Sequence, residues 1–147
     1  MIDDQVIETL VKREIWGSDS AFDTAHLTAV SYNGVLLLAG QVQSESLKQQ
    51  AQDIATGLAK VRRVHNELQV GGPISMVARA NDSWLTTKVK TRMLADAEVA
   101  ARKIKVVTEN GTVYLLGILP RQEADLAVQA AQSVYGVQRI VKVFEYL

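Results

Sequence analysis

The chain has 147 residues, enough for one ordinary domain or two very small ones. With 48% hydrophobic residues, 22% charged residues and two prolines, it is a folded chain rather than a disordered one. The absence of cysteine excludes disulfides, thiolate metal sites and cysteine nucleophiles, and a formal net charge of zero disfavours nucleic-acid binding through overall basicity.

A helix is predicted over 4–15, where Ile7, Val11 and Ile15 recur at helical spacing behind Asp3 or Asp4 as cap. Two strands follow around Asn33-Gly34, a dipeptide suited to the positive φ angles of a type I′ hairpin. Gly40 is expected to close the second strand. The stretch 44–58 reads as a helix with Leu47, Ala51, Ile54, Ala55 and Leu58 inward, and a final strand is expected over 63–70. Gly71-Gly72-Pro73 opens a linker, with 73–80 small and polar.

The same order then recurs. Asp4 to Ile15 matches Asp82 to Met93, Tyr32 to Gly40 matches Glu109 to Gly117, and Val61 to Val64 matches Val137 to Ile140. The second copy therefore has a helix over 82–95, a hairpin at Asn110-Gly111, a second strand closed by Gly117, a helix over 121–134 and a strand over 138–146. The chain reads as an α+β protein with domains at 1–72 and 81–147. Each is an α-β-β-α-β unit whose three-stranded mixed sheet carries two helices on one face. Units of about 70 residues have marginal cores, so the two are expected to pack together.

On a helical wheel, Leu85, Val89 and Met93 form the inward stripe of the helix over 82–95, with Thr86 beside them. Trp84 and Leu94 fall on the outward half with Thr87 and Thr91, and Lys88 and Lys90 flank them. The first copy has Val6, Glu8 and Leu10 in place of Trp84, Thr86 and Lys88. Charge divides in the same sense. Residues 1–72 hold 6 Lys+Arg against 9 Asp+Glu, and residues 73–147 hold 10 against 7. An outward Trp fills an interdomain contact, meets a lipid or another ligand, or stands incidentally exposed; residue physics alone leaves the three open. Trp16, near the end of the first helix, is expected to pack in the first domain or between domains.

Little points to chemistry. His26 and His65 lack carboxylates or cysteines at ligand spacing, so no metal site is expected. Ser18, Asp19, Ser20 and Asp23 lack the alternation of a calcium loop. Glu123 and Asp125 read as charges at a helix N-terminus, and Asn81-Asp82-Ser83 reads as a cap. No phosphate loop, nucleophile elbow or dinucleotide fingerprint is present, so neither an enzyme nor a cofactor is expected. Without a GXXG clamp or an aromatic pair on a strand, nucleic acid is not an expected partner.

The repeat, its Asn-Gly hairpins, the stretch Asn81 to Lys90 and the stretch Val106 to Gly117 resemble the dual-BON outer-membrane lipoproteins of Gram-negative bacteria. The resemblance covers essentially the whole chain. It implies a periplasmic protein held at the inner leaflet of the outer membrane by an N-terminal lipid. Signal peptide and lipidated cysteine are both lacking here, so the sequence is expected to begin after that anchor. The resemblance further implies that the second domain binds anionic phospholipid; the wheel puts that contact at Trp84 and Leu94, with Thr87 and Thr91 on the same face and Lys88, Lys90 and Arg92 supplying attraction. An envelope protein is the alternative partner, with the chain then a protein-interaction or chaperone-like adaptor and Trp84 its hot spot.

Overall fold

The computed structural model describes residues 3–72 and 75–147. The chain divides into two compact units, Met1–Ile74 and Ser75–Leu147; the second follows the order α-β-β-α-β, and the first follows it with its last strand divided in two.

In the first unit, helix α1 (Asp4–Ser18) buries Ile7, Val11 and Ile15. Asp3 caps it, its carboxylate accepting from the N–H groups of Gln5 at 3.1 Å and Val6 at 3.3 Å. Asp4 serves a different purpose. Its carboxylate accepts from the backbone N–H of Asn33 at 2.8 Å and Gly34 at 2.9 Å, and from the Ser31 hydroxyl at 2.7 Å. It thereby pins the turn between β1 (His26–Tyr32) and β2 (Val35–Val42), which pair antiparallel with Tyr32 opposite Val35. Asn33 and Gly34 have φ of 51° and 79°, the left-handed values a two-residue type I′ turn requires.

Helix α2 (Glu45–Thr56) is capped by the Ser44 hydroxyl, which accepts from the Leu47 N–H at 3.2 Å. It buries Leu47, Ala51 and Ala55 beside α1, both helices meeting the side of the sheet that carries Leu36 and Leu38. Ile54, Leu58 and Trp16 pack against this core half-buried. The single last strand expected over 63–70 is two strands, β3 (Arg63–Asn66) and β4 (Gln69–Val70), both parallel to β2. Asn66 causes the break. Its side chain donates to the Lys48 carbonyl at 2.9 Å and accepts from the Leu68 N–H at 3.2 Å, which turns Leu68 into the core.

Gly40 does not close β2. The strand runs on to Val42, and Gly40 lies inside it opposite Leu27. A Cβ built there would sit 1.9 Å from the His26 carbonyl oxygen, so the residue is small because β1 begins directly against it.

The second unit comprises α3 (Met76–Ala95), β5 (Ile104–Glu109), β6 (Thr112–Leu119), α4 (Arg121–Gln132) and β7 (Arg139–Tyr146). Strand β6 is central, antiparallel to β5 and parallel to β7. Gly117 is likewise inside β6 rather than at its end, with the Lys103 carbonyl oxygen 2.7 Å from a built Cβ. The stretch expected as linker, 73–80, is helical from Met76 onward. Pro73 and Ile74 lie outside the described residues. Ser75 is the reason: its hydroxyl accepts from the Ala78 N–H at 3.1 Å, and Met76, Ala78, Arg79 and Ala80 are good helix formers.

Asp82 is accordingly not part of a cap but lies within α3, doing what Asp4 does in the first unit. Only 6% exposed, it accepts from the backbone N–H of Asn110 at 2.7 Å and Gly111 at 2.9 Å. Replacing it with alanine strands two amide donors, one of them the buried N–H of Gly111. Asp82→Ala is expected to destabilise the second unit by roughly 3 kcal/mol, read as a lowered urea midpoint for its resonances with those of residues 3–72 unmoved.

Candidate functional site

Leu85, Val89 and Met93 fix the rotation of α3 by burying one side of it, together with Asp82. Thr86 also faces the sheet, its hydroxyl bonded to that of Thr108 at 2.7 Å. What remains outward is a face bearing Trp84, 61% exposed, and Leu94, 66% exposed. Thr87 and Thr91 are exposed on the same side, between them. The Thr87 hydroxyl donates back to the Ser83 carbonyl at 3.2 Å, so its methyl and backbone, rather than a free hydroxyl, characterise the position.

Lys88 and Arg92 border this face on one side and are tied to the turn that follows α4. The Lys88 ammonium donates to the Tyr135 carbonyl at 3.2 Å and stands 6.0 Å from the centre of the Trp84 ring, the outer limit of a cation–π contact. The Arg92 Nε donates to the Ser133 hydroxyl at 3.1 Å. The carbonyl-rich end of α4 favours both cations. Lys90 is exposed on the opposite border. Helix α3 contains one carboxylate, that of Asp82, and it is turned inward. Its outward surface is thus apolar along the middle and cationic at the edges.

Sequence periodicity did not single out Tyr135. It is 93% exposed at the turn that holds Lys88, so the Trp84 ring, the Lys88 ammonium and the Tyr135 turn adjoin. Position-by-position comparison of the repeats carries the signal, since the first copy has Ala59-Lys60 where the second has Tyr135-Gly136. The first unit reproduces only part of this surface: Thr9 and Lys12 match Thr87 and Lys90, whereas Leu10 replaces Lys88 and Glu14 replaces Arg92. Val6 replaces Trp84, and Glu8 is occupied by the Ser31 N–H at 2.8 Å.

The remaining candidates lie away from this face. Asp19 caps a short 3-10 helix by accepting from the Ala21 N–H at 2.9 Å. Glu123 lies in the first turn of α4. The half-buried His65 imidazole has its pKa lowered by burial first and by Arg63 second, with Glu67 opposing. Among the described residues no group of three or more His, Cys, Asp or Glu is placed to hold a metal ion, and no helix is long and apolar enough to cross a membrane.

A model of the BON domain matches residues 3–72 and again residues 81–147. The chain belongs to the BON-domain family. Its two BON domains are similar throughout to the outer membrane lipoprotein DolP of Haemophilus influenzae, with 40% identity over 99% of this chain and 76% of that protein. The 21 kDa hemolysin of Actinobacillus pleuropneumoniae is 37% identical over 99% of this chain and 75% of its own length. The osmotically inducible protein Y of Escherichia coli is 30% identical over 95% of this chain and 70% of its own. The outward face of α3 lies in the second BON domain.

Proposed function

We propose that this protein is a non-enzymatic component of the bacterial envelope that docks on anionic phospholipid through α3 of its second BON domain and supports outer-membrane integrity. One observation carries the reading: Trp84 and Leu94 stand exposed on one helix face whose borders are cationic and whose only carboxylate is turned inward. An exposed Trp is poorly placed in water and well placed at a bilayer interface, where ring and N–H each find suitable surroundings. Each bordering cation adds roughly 1 kcal/mol near an anionic surface. Similarity to an outer membrane lipoprotein supports a periplasmic position on the inner leaflet of the outer membrane, with an N-terminal lipid as tether. A wedge of one Trp and one Leu supplies only a few kcal/mol at roughly 25 cal/mol per Å². Docking is therefore weak, and effective when a tether raises local concentration.

The test is a backbone NMR titration with phosphatidylglycerol-containing and purely zwitterionic vesicles. Shifts centred on Trp84, Lys88 and Leu94, with anionic lipid alone, are expected. Absence of shifts with both lipids returns Trp84 to the role of a protein-partner contact. Tyr135 belongs to the same surface, because its carbonyl holds Lys88 while its ring faces solvent. Tyr135→Ser is expected to weaken vesicle binding by roughly threefold to tenfold without lowering stability, measured by co-sedimentation alongside thermal unfolding.

A further inference from the structure

Helix α3 has 20 residues where its counterpart α1 has 15, and it starts at Met76, ahead of the second family match at 81. The added turn brings two large apolar side chains to the surface, Met76 at 85% and Val77 at 79% exposure. Their positions on the helix are set by its period. Met76 and Leu94 are about five turns apart, and Val77 and Trp84 are about two turns apart, so each pair shares a side. With Ala80, Thr87 and Thr91 between them, these residues form a stripe roughly 100° wide and about 27 Å long. Arg79 and Lys90 lie along one border of the stripe, and Lys88 and Arg92 along the other.

We propose that α3 docks lengthwise, its axis in the plane of an anionic bilayer, with Met76 and Val77 as a second apolar anchor beside Trp84 and Leu94. The proposal rests on α3 being the lipid-docking face. Its occupant is a phospholipid surface because the stripe is apolar at both ends and every charged side chain of α3 along its two borders is a cation, with the neutral Asn81 and Ser83 among them and the Asp96 cap lying past the Leu94 end. A helix with anchors about 27 Å apart seats both only when its axis runs parallel to the surface. Tip-first insertion would wet one end. Cations on both borders then lie at headgroup depth, where phosphate groups flank the helix on either side.

The chain has no cysteine, so one introduced thiol can be labelled alone with an environment-sensitive fluorophore. Val77→Cys, Leu94→Cys and, on the exposed side of α4, Gln129→Cys would each be labelled and mixed with phosphatidylglycerol-containing or zwitterionic vesicles. Blue-shifted emission, with quenching by lipid-borne spin labels, is expected at 77 and 94 with anionic vesicles, and no change at 129. A response at 94 with 77 still in water overturns the lengthwise pose and leaves lipid docking standing. No response at either position overturns docking itself. As an unlabelled control, the double variant Met76→Ser, Val77→Ser is expected to lower vesicle affinity roughly tenfold with its circular dichroism unchanged; wild-type affinity would overturn the second anchor.

Discussion

Gly40→Ala is expected to unfold the first BON domain while leaving the second folded. Two independent costs meet at this position. Its φ of +119° lies in a region that residues with a side chain rarely adopt. A Cβ there would also approach the His26 carbonyl oxygen to 1.9 Å. The neighbour is backbone at the start of β1, inside a ladder that runs from His26–Gln41 to Tyr32–Val35. It cannot swing aside as a side chain would. Relief requires β1 to lift from β2, and with it Leu27 and Ala29 from the core. A cost above roughly 4 kcal/mol follows, comparable with the whole stability of a domain of this size. Gly117→Ala provides the graded comparison. Its Cβ would lie 2.7 Å from the Lys103 carbonyl oxygen, and its φ is not in the left-handed region. A loss of about 2 kcal/mol with the second domain still folded is expected. Two-dimensional NMR reads both: Gly40→Ala collapses the dispersed signals of residues 3–72, and Gly117→Ala shifts its neighbours and lowers the urea midpoint. A dispersed first-domain spectrum for Gly40→Ala would show that β1 does not begin against β2 as described.

Periodic burial was legible in the sequence, and contact-specific chemistry was not. Ile7, Val11 and Ile15, or Leu85, Val89 and Met93, announce an inward face by spacing alone, and the structure buries them all. The Asn-Gly turns were legible because few other dipeptides accept two left-handed residues in succession. Gly40 and Gly117 were recognised as special but placed at strand ends. Spacing shows that a residue is small, not that a neighbouring carbonyl occupies the room where its side chain would stand. Spacing allows Asp3 or Asp4 as the cap of α1 and reads Asp82 as part of a cap; it does not show what Asp4 and Asp82 hold, because the amides they accept from lie 28 to 30 residues away. The break at Glu67-Leu68 depends on an Asn66 contact with Lys48, also remote in sequence. Within the candidate site, the outward placement of Trp84 and Leu94 followed from the wheel. Tyr135 did not, since it reaches α3 only through its backbone carbonyl.

Trp84→Ala is expected to reduce affinity for phosphatidylglycerol-containing vesicles between tenfold and a hundredfold. A Trp side chain buries 150–250 Å², and the 61% left exposed here amounts to about 120 Å² available to lipid. At roughly 25 cal/mol per Å² this is about 3 kcal/mol when fully withdrawn from water, and less when the ring rests among headgroups. The stability of the domain is expected to change by no more than about 0.5 kcal/mol, because the ring lies outside the core cluster. Lys90→Gln removes a different contribution. It costs roughly fivefold at low ionic strength, and the loss fades as salt shortens the Debye length to a few ångströms. Trp84→Ala should keep its proportional loss at high salt, since burial of apolar surface is not screened. Vesicle titrations of both variants at two salt concentrations therefore separate wedge from attraction. If Trp84→Ala binds as the parent does at both concentrations, the ring does not enter lipid and the docking face lies elsewhere. If its loss vanishes with salt in step with that of Lys90→Gln, Trp84 acts only by positioning the Lys88 ammonium beside it, and affinity rests on charge alone.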